Sequence, residues 1–488
     1  MEIKEFVKKL DQNQLHIYCF SNNHDYYAFD YYNLVLVHTN KIINEIFESM
    51  QSPNEFNRVY SKYNYPDYEQ YWNNIINCFQ SNIFISEENL IQNNGEGEIG
   101  LISFPTIHDC NLNCTYCFAK AGTNHLGLER VFSEEKIRKL FNYIYSDYFR
   151  DKSSLRLDLV SGGEPLLCFD ALKKIVEIRD EMKEKYRKDM MIWLCTNGTL
   201  LNEEICDFLD ANNISIGISL DGEKHVHDSN RRFKNGEGTY ETIINKINFI
   251  KQNPQYSSKF KDIWGLTVIT PKTESIVDIL KHHKQLGIKN VQMKLVRSDK
   301  AEFIFNEDDL QHLKEKYNEL CEFFFKECIK GNFEYIKMIL NDNDYLGKII
   351  RRLLLRQIVS NRCQAGKTKI AATANGNLYP CDSFVGIDGF IIGNYCKETK
   401  SNNPFKHICY KDRDKCRGCW GRFLCGGDCY HNSFLKNGDI NIPDEKFCDL
   451  QKYLITLSIR LIDELNEKAT NTIKELTRFL QLKNRINA

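Results

Sequence analysis

The stretch Cys110-Asn-Leu-Asn-Cys114-Thr-Tyr-Cys117 decides the fold, because its three cysteines stand a few residues after a predicted strand. Three thiolates this close together can hold three corners of a four-iron cluster. Such clusters usually take four cysteines, so one iron would remain open. A structural zinc ion needs four closed ligands, which His108 or His125 would have to complete. The stretch therefore predicts a metal site, either an open iron–sulfur cluster or zinc.

The sequence after this loop alternates between strand and helix patterns. One helix is predicted at 134–148, with Ser133 as its N-cap. Six βα units of this kind predict an α/β fold with parallel strands, as a partial (β/α)6 barrel of the TIM type or a doubly wound sheet. The predicted strands span residues 101–105, 155–160, 191–195, 214–219, 263–269 and 291–296.

Polar or Gly-rich loops follow three more of these strands. Ser161-Gly-Gly-Glu-Pro165 follows the second strand, Thr196-Asn-Gly198 the third and Ser219-Leu-Asp-Gly222 the fourth. Each loop alone is a weak signal, since Gly and Asn are also ordinary turn residues. In βα barrels, however, ligand chemistry is assembled at the carboxyl ends of the strands. With the cysteine loop, four consecutive loops predict one shared site.

These motifs strongly resemble those of radical S-adenosylmethionine (SAM) enzymes, over about residues 98–300. The resemblance implies that Cys110, Cys114 and Cys117 are the catalytic ligands of a 4Fe–4S cluster whose open iron is chelated by SAM. Reductive cleavage of SAM would then give a 5′-deoxyadenosyl radical that abstracts hydrogen. The cofactor supplies this chemistry, and the protein supplies orientation and exclusion of water.

The same resemblance implies a set of SAM contacts. Gly162, Gly163 and Glu164 would hold the methionine amino group, with Pro165 shaping the turn. The other implied contacts are Tyr116 through its backbone to adenine, Ser219 and Arg231 to ribose or carboxylate, and Thr196, Asn197 and Leu295 as pocket walls. Arg232 could replace Arg231, and Asp221 is either a turn residue or faces the substrate. His227 and Asp228 are candidate bases, with a surface pair as the alternative.

A second cysteine region holds nine of the nineteen cysteines, between Cys363 and Cys448. Its spacing includes Cys416-x2-Cys419-x5-Cys425-x3-Cys429. Seven of these nine stand at spacings typical of metal ligands, namely Cys363, Cys381, Cys416, Cys419, Cys425, Cys429 and Cys448. Seven ligands are too many for one tetrahedral site, so two metal sites are predicted. Zinc is again the alternative, because Cys-x2-Cys binds zinc as well as iron–sulfur clusters. The other seven cysteines are scattered and are predicted to be small buried hydrophobes; they are Cys19, Cys78, Cys168, Cys195, Cys206, Cys321 and Cys328.

The arrangement resembles the SPASM domain of radical SAM peptide-modifying enzymes, which implies two auxiliary clusters and three 4Fe–4S clusters in all. One would be held by Cys416, Cys419, Cys425 and Cys448, and the other by Cys363, Cys381 and Cys429. Cys396 or Cys409 would complete the second cluster. Otherwise its open iron could bind a substrate thiolate.

The N-terminal part begins with a short amphipathic helix, followed by predicted strands at 15–20, 26–29 and 34–38 and a helix over 42–50. It resembles the small winged domain that recognises leader sequences of ribosomally made precursor peptides, which bind as an added strand. The alternative is an extension that only packs on the barrel. The polar segment 51–97 is predicted to be a linker toward its end.

Five units are predicted from these patterns. Formal net charge is −1, and the sequence contains neither a signal peptide nor a membrane span, so we expect a cytoplasmic protein that binds neither nucleic acid nor membrane. The units are a leader-recognition domain with linker at 1–95, the barrel at 98–300, a helical bridge at 301–360, the SPASM domain at 361–455 and a C-terminal helix at 456–488.

The combined resemblance implies a maturase that installs thioether links, from a Cys sulfur to a carbon, in a precursor peptide. A flavodoxin or ferredoxin would donate electrons. An alternative with the same radical chemistry is a carbon–carbon link or the oxidation of a protein Cys or Ser to formylglycine. An alternative from another class is a zinc-bearing interaction module.

Overall fold

The computed structural model describes residues 15–22, 25–63, 67–85, 99–117, 129–160, 162–259, 263–296, 298 and 300–487. The predicted N-terminal amphipathic helix, Gly95 to Gly97, His125 and Ser161 lie outside the described residues. None of the described helices is both long and apolar enough to cross a membrane.

The N-terminal domain contains the three predicted strands as an antiparallel sheet in the order β1-β2-β3. Within the described residues, β3 lies at the edge of this sheet, with β2 as its one strand partner. The strands are β1 (Ile17–Asn22), β2 (Asp25–Asp30) and β3 (Val35–Thr39).

Three helices follow this sheet, α1 (Lys41–Ser49), α2 (Pro53–Lys62) and α3 (Glu69–Gln80). The first part of the polar segment 51–97 is therefore helical, and the linker predicted toward its end lies outside the described residues. Asn and Tyr make the segment polar on average, but Phe56, Trp72 and Phe79 recur at helical spacing and are buried in the N-terminal core.

All six predicted barrel strands are confirmed, and they lie side by side in chain order with parallel pairing. A doubly wound sheet would reverse its strand order midway, so the observed order is that of a partial barrel. The strands are β4 (Ile99–Ser103), β5 (Ser154–Leu159), β6 (Met190–Thr196), β7 (Ser215–Ser219), β8 (Trp264–Ile269) and β9 (Asn290–Leu295).

The cysteine-rich region continues the barrel sheet, which the sequence did not indicate. Its first strand pairs in parallel with β4, and three short antiparallel strands extend the sheet to ten strands. The added strands are β10 (Lys369–Ala372), β11 (Asn377–Tyr379), β12 (Gly393–Asn394) and β13 (Thr399–Lys400). The two predicted domains therefore share one sheet.

Helices cover the barrel and form the predicted bridge. Those on the barrel are α4 (Glu134–Tyr143), α5 (Phe169–Tyr186), α6 (Glu203–Ala211), α7 (Lys224–Asn230), α8 (Tyr240–Gln252), α9 (Pro254–Lys259) and α10 (Ile276–Gln285). The bridge consists of α11 (Glu307–Ile329), α12 (Glu334–Ile339) and α13 (Gly347–Leu355).

The C-terminal part is helical, but its predicted boundaries are wrong. Three short helices, α14 (Asp414–Arg417), α15 (Arg422–Cys425) and α16 (Tyr430–Asn437), precede two long ones, α17 (Glu445–Lys468) and α18 (Thr470–Asn487). Asp444 caps α17, so Cys448 lies inside its first turns. The helix is interrupted at Ala469, just before Thr-Asn-Thr, residue types that favour helix caps over helix interiors. The apolar face of α17 packs on α11, as expected.

Candidate active site and two C-terminal cysteine groups

The three barrel cysteines, Cys110, Cys114 and Cys117, lie in a loop that is joined by backbone hydrogen bonds to the segment after α7. Asn113 N–H donates to the Arg232 carbonyl at 2.8 Å, and Thr115 N–H donates to the Asn230 carbonyl at 2.9 Å. This pairing brings residues that are distant in sequence into one site beside the barrel cysteines.

Two glycines pack directly against the start of the same loop. A Cβ on Gly162 would lie 2.2 Å from the ring of Pro105, and one on Gly163 would lie 1.8 Å from the Asp109 carbonyl oxygen. Glu164 N–H also donates to that carbonyl at 2.8 Å. The two glycines are therefore required for the Gly-Gly-Glu segment to reach the cysteine loop.

The Glu164 carboxylate lies at the centre of a buried hydrogen-bond network. It accepts from Thr196 Oγ1 at 2.6 Å, Asn197 N at 2.7 Å and Leu166 N at 3.2 Å. Burial raises the pKa of Glu164 to about 7, although these three donors oppose the rise. A bound cation would favour the ionised form of Glu164, as expected of a side chain that binds a protonated amino group.

Arg231, rather than Arg232, reaches the barrel cysteines. The Arg231 guanidinium pairs with the buried Asp221 carboxylate at 3.0 Å. Burial raises the pKa of Cys114, and the charge of Arg231 is close enough to oppose that rise. Asp221 also accepts from Tyr116 Oη and from Val268 N. Asp221 therefore organises the loop, and Arg232 is exposed, with its guanidinium on backbone carbonyls.

The remaining predicted contacts lie at the carboxyl edge of the strands. Thr196 ends β6, Ser219 ends β7 and Leu295 ends β9, while Pro165 begins a short helical turn after β5. Sequence reasoning missed Asn111 and Thr199 here. Asn111 accepts from Asn197 Nδ2 and donates to Thr199 Oγ1. Asn111 lies within the cysteine motif and Thr199 just after Thr-Asn-Gly, so position alone could have indicated both.

The prediction of a surface pair for His227 and Asp228 is wrong, because both belong to α7. His227 is fully buried, accepts from Asp221 N and contacts Thr239 Oγ1 through Nε2. Burial lowers the pKa of His227 to about 4, so it is neutral at pH 7. Asp228 pairs with Lys224 and caps the start of α8 at Tyr240. Both residues therefore have a structural role, through these contacts.

The barrel cysteines are close enough for their charges to interact. Burial raises the pKa of Cys110 to about 12 and of Cys114 to about 11, and the neighbouring thiols add to the rise. The three thiols therefore lie near enough to one another to hold one metal site.

The cysteines of the C-terminal region fall into the two groups that the resemblance implies. In the tetracysteine group (Cys416, Cys419, Cys425 and Cys448), burial raises the pKa of Cys448, and the charges of Cys425, Cys416, Asp428 and Cys419 add to the rise. In the tricysteine group (Cys363, Cys381 and Cys429), burial raises the pKa of Cys381 to about 12, and the charges of Asp382, Cys429 and Cys363 add to the rise. The Gly426 position lies against the backbone of Asn361 and Arg362, which brings the two groups together.

The two candidates for a fourth member lie differently around the tricysteine group. Cys396 is exposed beside Gly376, and Cys409 caps a helical turn by accepting from Lys411 N. After burial, the charges of Cys363 and Cys409 both raise the pKa of Tyr430, whereas neither candidate sulfur is among the largest influences on the pKa of Cys363 or Cys381. Beside Cys381 lies an ion pair between Lys369 and Asp382, at 2.8 Å, which no sequence signal indicated.

Comparison with known proteins supports this interpretation of the barrel. Residues 104–282 match the model of the Radical SAM superfamily. The chain is 27% identical to a cysteine-type anaerobic sulfatase-maturating enzyme of Clostridium perfringens, over 68% of this chain and 88% of the relative. It is 25% identical to a serine-type enzyme of the same name from Bacteroides thetaiotaomicron, over 68% and 82%.

A solved structure shares the fold. It is titled native anSMEcpe with bound AdoMet and Cp18Cys peptide, and its TM-score to this chain is 0.60 at 21% sequence identity. The similarity covers 76% of this chain and 99% of that one. The fold of the barrel with its cysteine-rich extension is therefore shared with a structure that holds both AdoMet and a peptide.

Proposed function

We propose that this chain, an enzyme whose residues 104–282 form a radical SAM domain, installs thioether links in a ribosomally made precursor peptide. The observation that carries the proposal is the tricysteine group, which has three cysteines where a closed cluster needs four. An open iron there could bind and deprotonate a substrate thiol.

The barrel residues are assigned to a 4Fe–4S cluster and SAM, which together supply hydrogen-atom abstraction. Cys110, Cys114 and Cys117 would hold the cluster. The buried Glu164 carboxylate, with its raised pKa, suits the methionine ammonium group. The other contacts are assigned as the family resemblance implies, through Tyr116, Gly162, Gly163, Pro165, Thr196, Asn197, Ser219, Arg231 and Leu295. The protein's part is to orient these groups and exclude water.

Two further clusters are assigned to the tetracysteine group and the tricysteine group. Burial raises the pKa of Cys381 to about 12 and of Cys416 to about 11, so neither thiol ionises readily without a metal. Forming a carbon–sulfur bond removes one hydrogen from the thiol and one from the carbon. The substrate therefore loses two electrons: one would leave with the hydrogen atom taken from the carbon, and the other would pass to an auxiliary cluster. A flavodoxin or ferredoxin is the proposed donor of the electron that cleaves SAM.

The N-terminal domain is assigned to the leader of the precursor peptide. The edge of β3 is available within the described residues, and an extended peptide could pair with it. The domain also contacts the tetracysteine region directly. The Tyr18 ring stacks on Trp420 with centroids 3.6 Å apart, and Phe423 packs edge-to-face against His16 and against Tyr32. A leader bound here would be anchored close to the auxiliary groups. We place the reaction in the cytoplasm.

A second candidate is the oxidation of a Cys or Ser side chain to formylglycine in a protein substrate. The names of the relatives at 25–27% identity favour it. The match to the first of them leaves about a third of this chain outside it. The leader-recognition role proposed for the N-terminal domain has no place in this alternative.

One assay separates the two candidates. The anaerobic holoenzyme would be incubated with SAM, a reductant and the Cys-rich peptide encoded beside its gene, or with a sulfatase-type Cys peptide. We expect the first peptide to lose two hydrogen atoms and one alkylatable thiol per link while retaining its sulfur. Loss of sulfur from the second peptide, with the first unchanged, would replace thioether formation by formylglycine formation.

A further inference from the structure

Three cations converge beside Cys425, at the junction of the bridge with the cysteine-rich region. Lys348 and Arg352 lie one turn apart on α13 and are only 4% and 6% exposed. Arg362 comes from the segment before Cys363, and its guanidinium lies 4.5 Å from the Phe447 ring centroid. We call Lys348, Arg352 and Arg362 the cation group.

No carboxylate pairs with these cations within the described residues. The Lys348 ammonium lies 5.1 Å from the Tyr345 ring centroid and makes neither a hydrogen bond nor an ion pair there. Arg352 donates to the Leu424 carbonyl at 2.5 Å, and Arg362 donates to Gln451 Oε1 at 3.3 Å. The side chains are thus held in place, but their charge is not neutralised by an ion pair.

Three carboxyl groups act on these cations, Asp342, Asp344 and Asp428, but among the described residues none forms an ion pair with the cation group. Asp342 pairs with Arg351 at 2.8 Å, and Asp428 accepts from Cys429 N and Asn432 Nδ2. Asp344 accepts from the backbone N–H groups of Met293, Leu346 and Gly347, and burial raises its pKa to about 6. Burial, together with the neighbouring Arg362 and Arg352, lowers the pKa of Lys348. Burying like charges together is costly unless a counter-charge is present.

The cysteines supply that counter-charge once they are ionised. Arg352 donates to the carbonyl of Leu424, the residue before Cys425, and the backbone of Arg362 lies against Gly426, the residue after it. An ionised Cys425 would favour the charged form of all three cations, together with Asp342 for Arg352 and Asp428 for Arg362. Four thiolates around a metal cluster would make the tetracysteine group anionic. Each added electron would make it more so, and nearby cations in a low-dielectric interior stabilise the more negative state.

We propose that the cation group stabilises the reduced form of the cluster held by Cys416, Cys419, Cys425 and Cys448, and so makes this group the electron acceptor of the enzyme. The inference rests on the cluster ligation proposed above. Reduction adds one electron to the cluster, and the charged cation group would offset the negative charge that it brings. Arg362 faces one member of each C-terminal group, Cys425 and Cys429.

The test is a redox titration of the anaerobic holoenzyme, followed by electron paramagnetic resonance with dithionite as reductant. Lys348→Met removes the buried charge and keeps the shape of the side chain. We expect the reduction equilibrium of one auxiliary cluster to shift at least tenfold toward the oxidised form, about 59 mV for one electron. Arg362→Gln is a second variant and should shift the same signal in the same direction.

Lys415→Met is the matched control. Lys415 also lies near a member of the tetracysteine group, Cys448, but its side chain is exposed and pairs with Glu445. Solvent screens such a charge, so the same loss of one cation should shift the equilibrium less than about twofold.

Three outcomes would overturn the inference. Lys348→Met and Arg362→Gln could retain their iron with wild-type potentials, or Lys415→Met could shift the potential as much as they do. The variants could also lose their iron while the wild type retains it, which would make the cations structural. A wild-type protein that binds no iron at all would instead refute the proposed ligation, so the two failures are distinguishable.

Discussion

The barrel site and the tetracysteine region balance their charges in opposite ways. In the barrel, Arg231 pairs with Asp221 at 3.0 Å, and Glu164 accepts three hydrogen bonds. In the C-terminal region, Lys348 is buried without an ion pair among the described residues. Asp221 is therefore neutralised within the protein and Glu164 suits a cationic ligand, whereas the cation group suits an anionic occupant.

The largest expected difference between the regions is the step that a variant loses: cleavage of SAM for the barrel, and modification of the peptide for the C-terminal region. Cys114→Ala should abolish reductive cleavage of SAM, because a cluster ligand of the barrel is missing. Cys381→Ala should leave 5′-deoxyadenosine formation largely intact and abolish modification of the peptide. Chromatography of 5′-deoxyadenosine and mass spectrometry of the peptide measure the two yields. Full activity of either variant on the peptide would contradict the division of labour.

A pair of glycines compares the packing of the two regions. Gly163→Ala places a Cβ 1.8 Å from a backbone oxygen, so we expect a loss of about 3 kcal/mol or more in the free energy of unfolding. Gly418→Ala, between Cys416 and Cys419, meets nothing within 4 Å and should change it by less than about 0.5 kcal/mol. Denaturant unfolding of both variants checks the difference. Equal losses would show that packing does not separate the two regions.

A smaller effect is expected from the ionisation of Glu164. The cation group contains no carboxyl group that would ionise in the same way. A bound ammonium would lower the pKa of Glu164 from about 7, so binding releases a proton and tightens as pH rises through that value. The dissociation constant of SAM should fall about tenfold between about pH 6 and about pH 8. Calorimetry on the cluster-loaded protein measures it. The same slope in Glu164→Gln would assign the effect to another group.

Local patterns predicted the barrel well. The six strands alternate with helices, and the apolar residues of each element recur at the spacing that burial of one face requires. The Gly-Gly-Glu segment and the cysteine loop lie together, as their positions after neighbouring strands indicated. The helices over residues 53–80 were missed because their apolar residues are few, although Trp72 and Phe79 are buried. The break at Ala469 was missed because an amphipathic pattern continues across it.

The sequence by itself determined which residue types carry the chemistry: three cysteines after the first barrel strand, and seven later cysteines, which are too many for one tetrahedral site. Only the tertiary structure decided that Arg231 rather than Arg232 reaches Cys114, and that Lys348, Arg352 and Arg362 meet beside Cys425. Spacing fixes what one loop can present. Charges contributed by separate elements come together only when those elements pack.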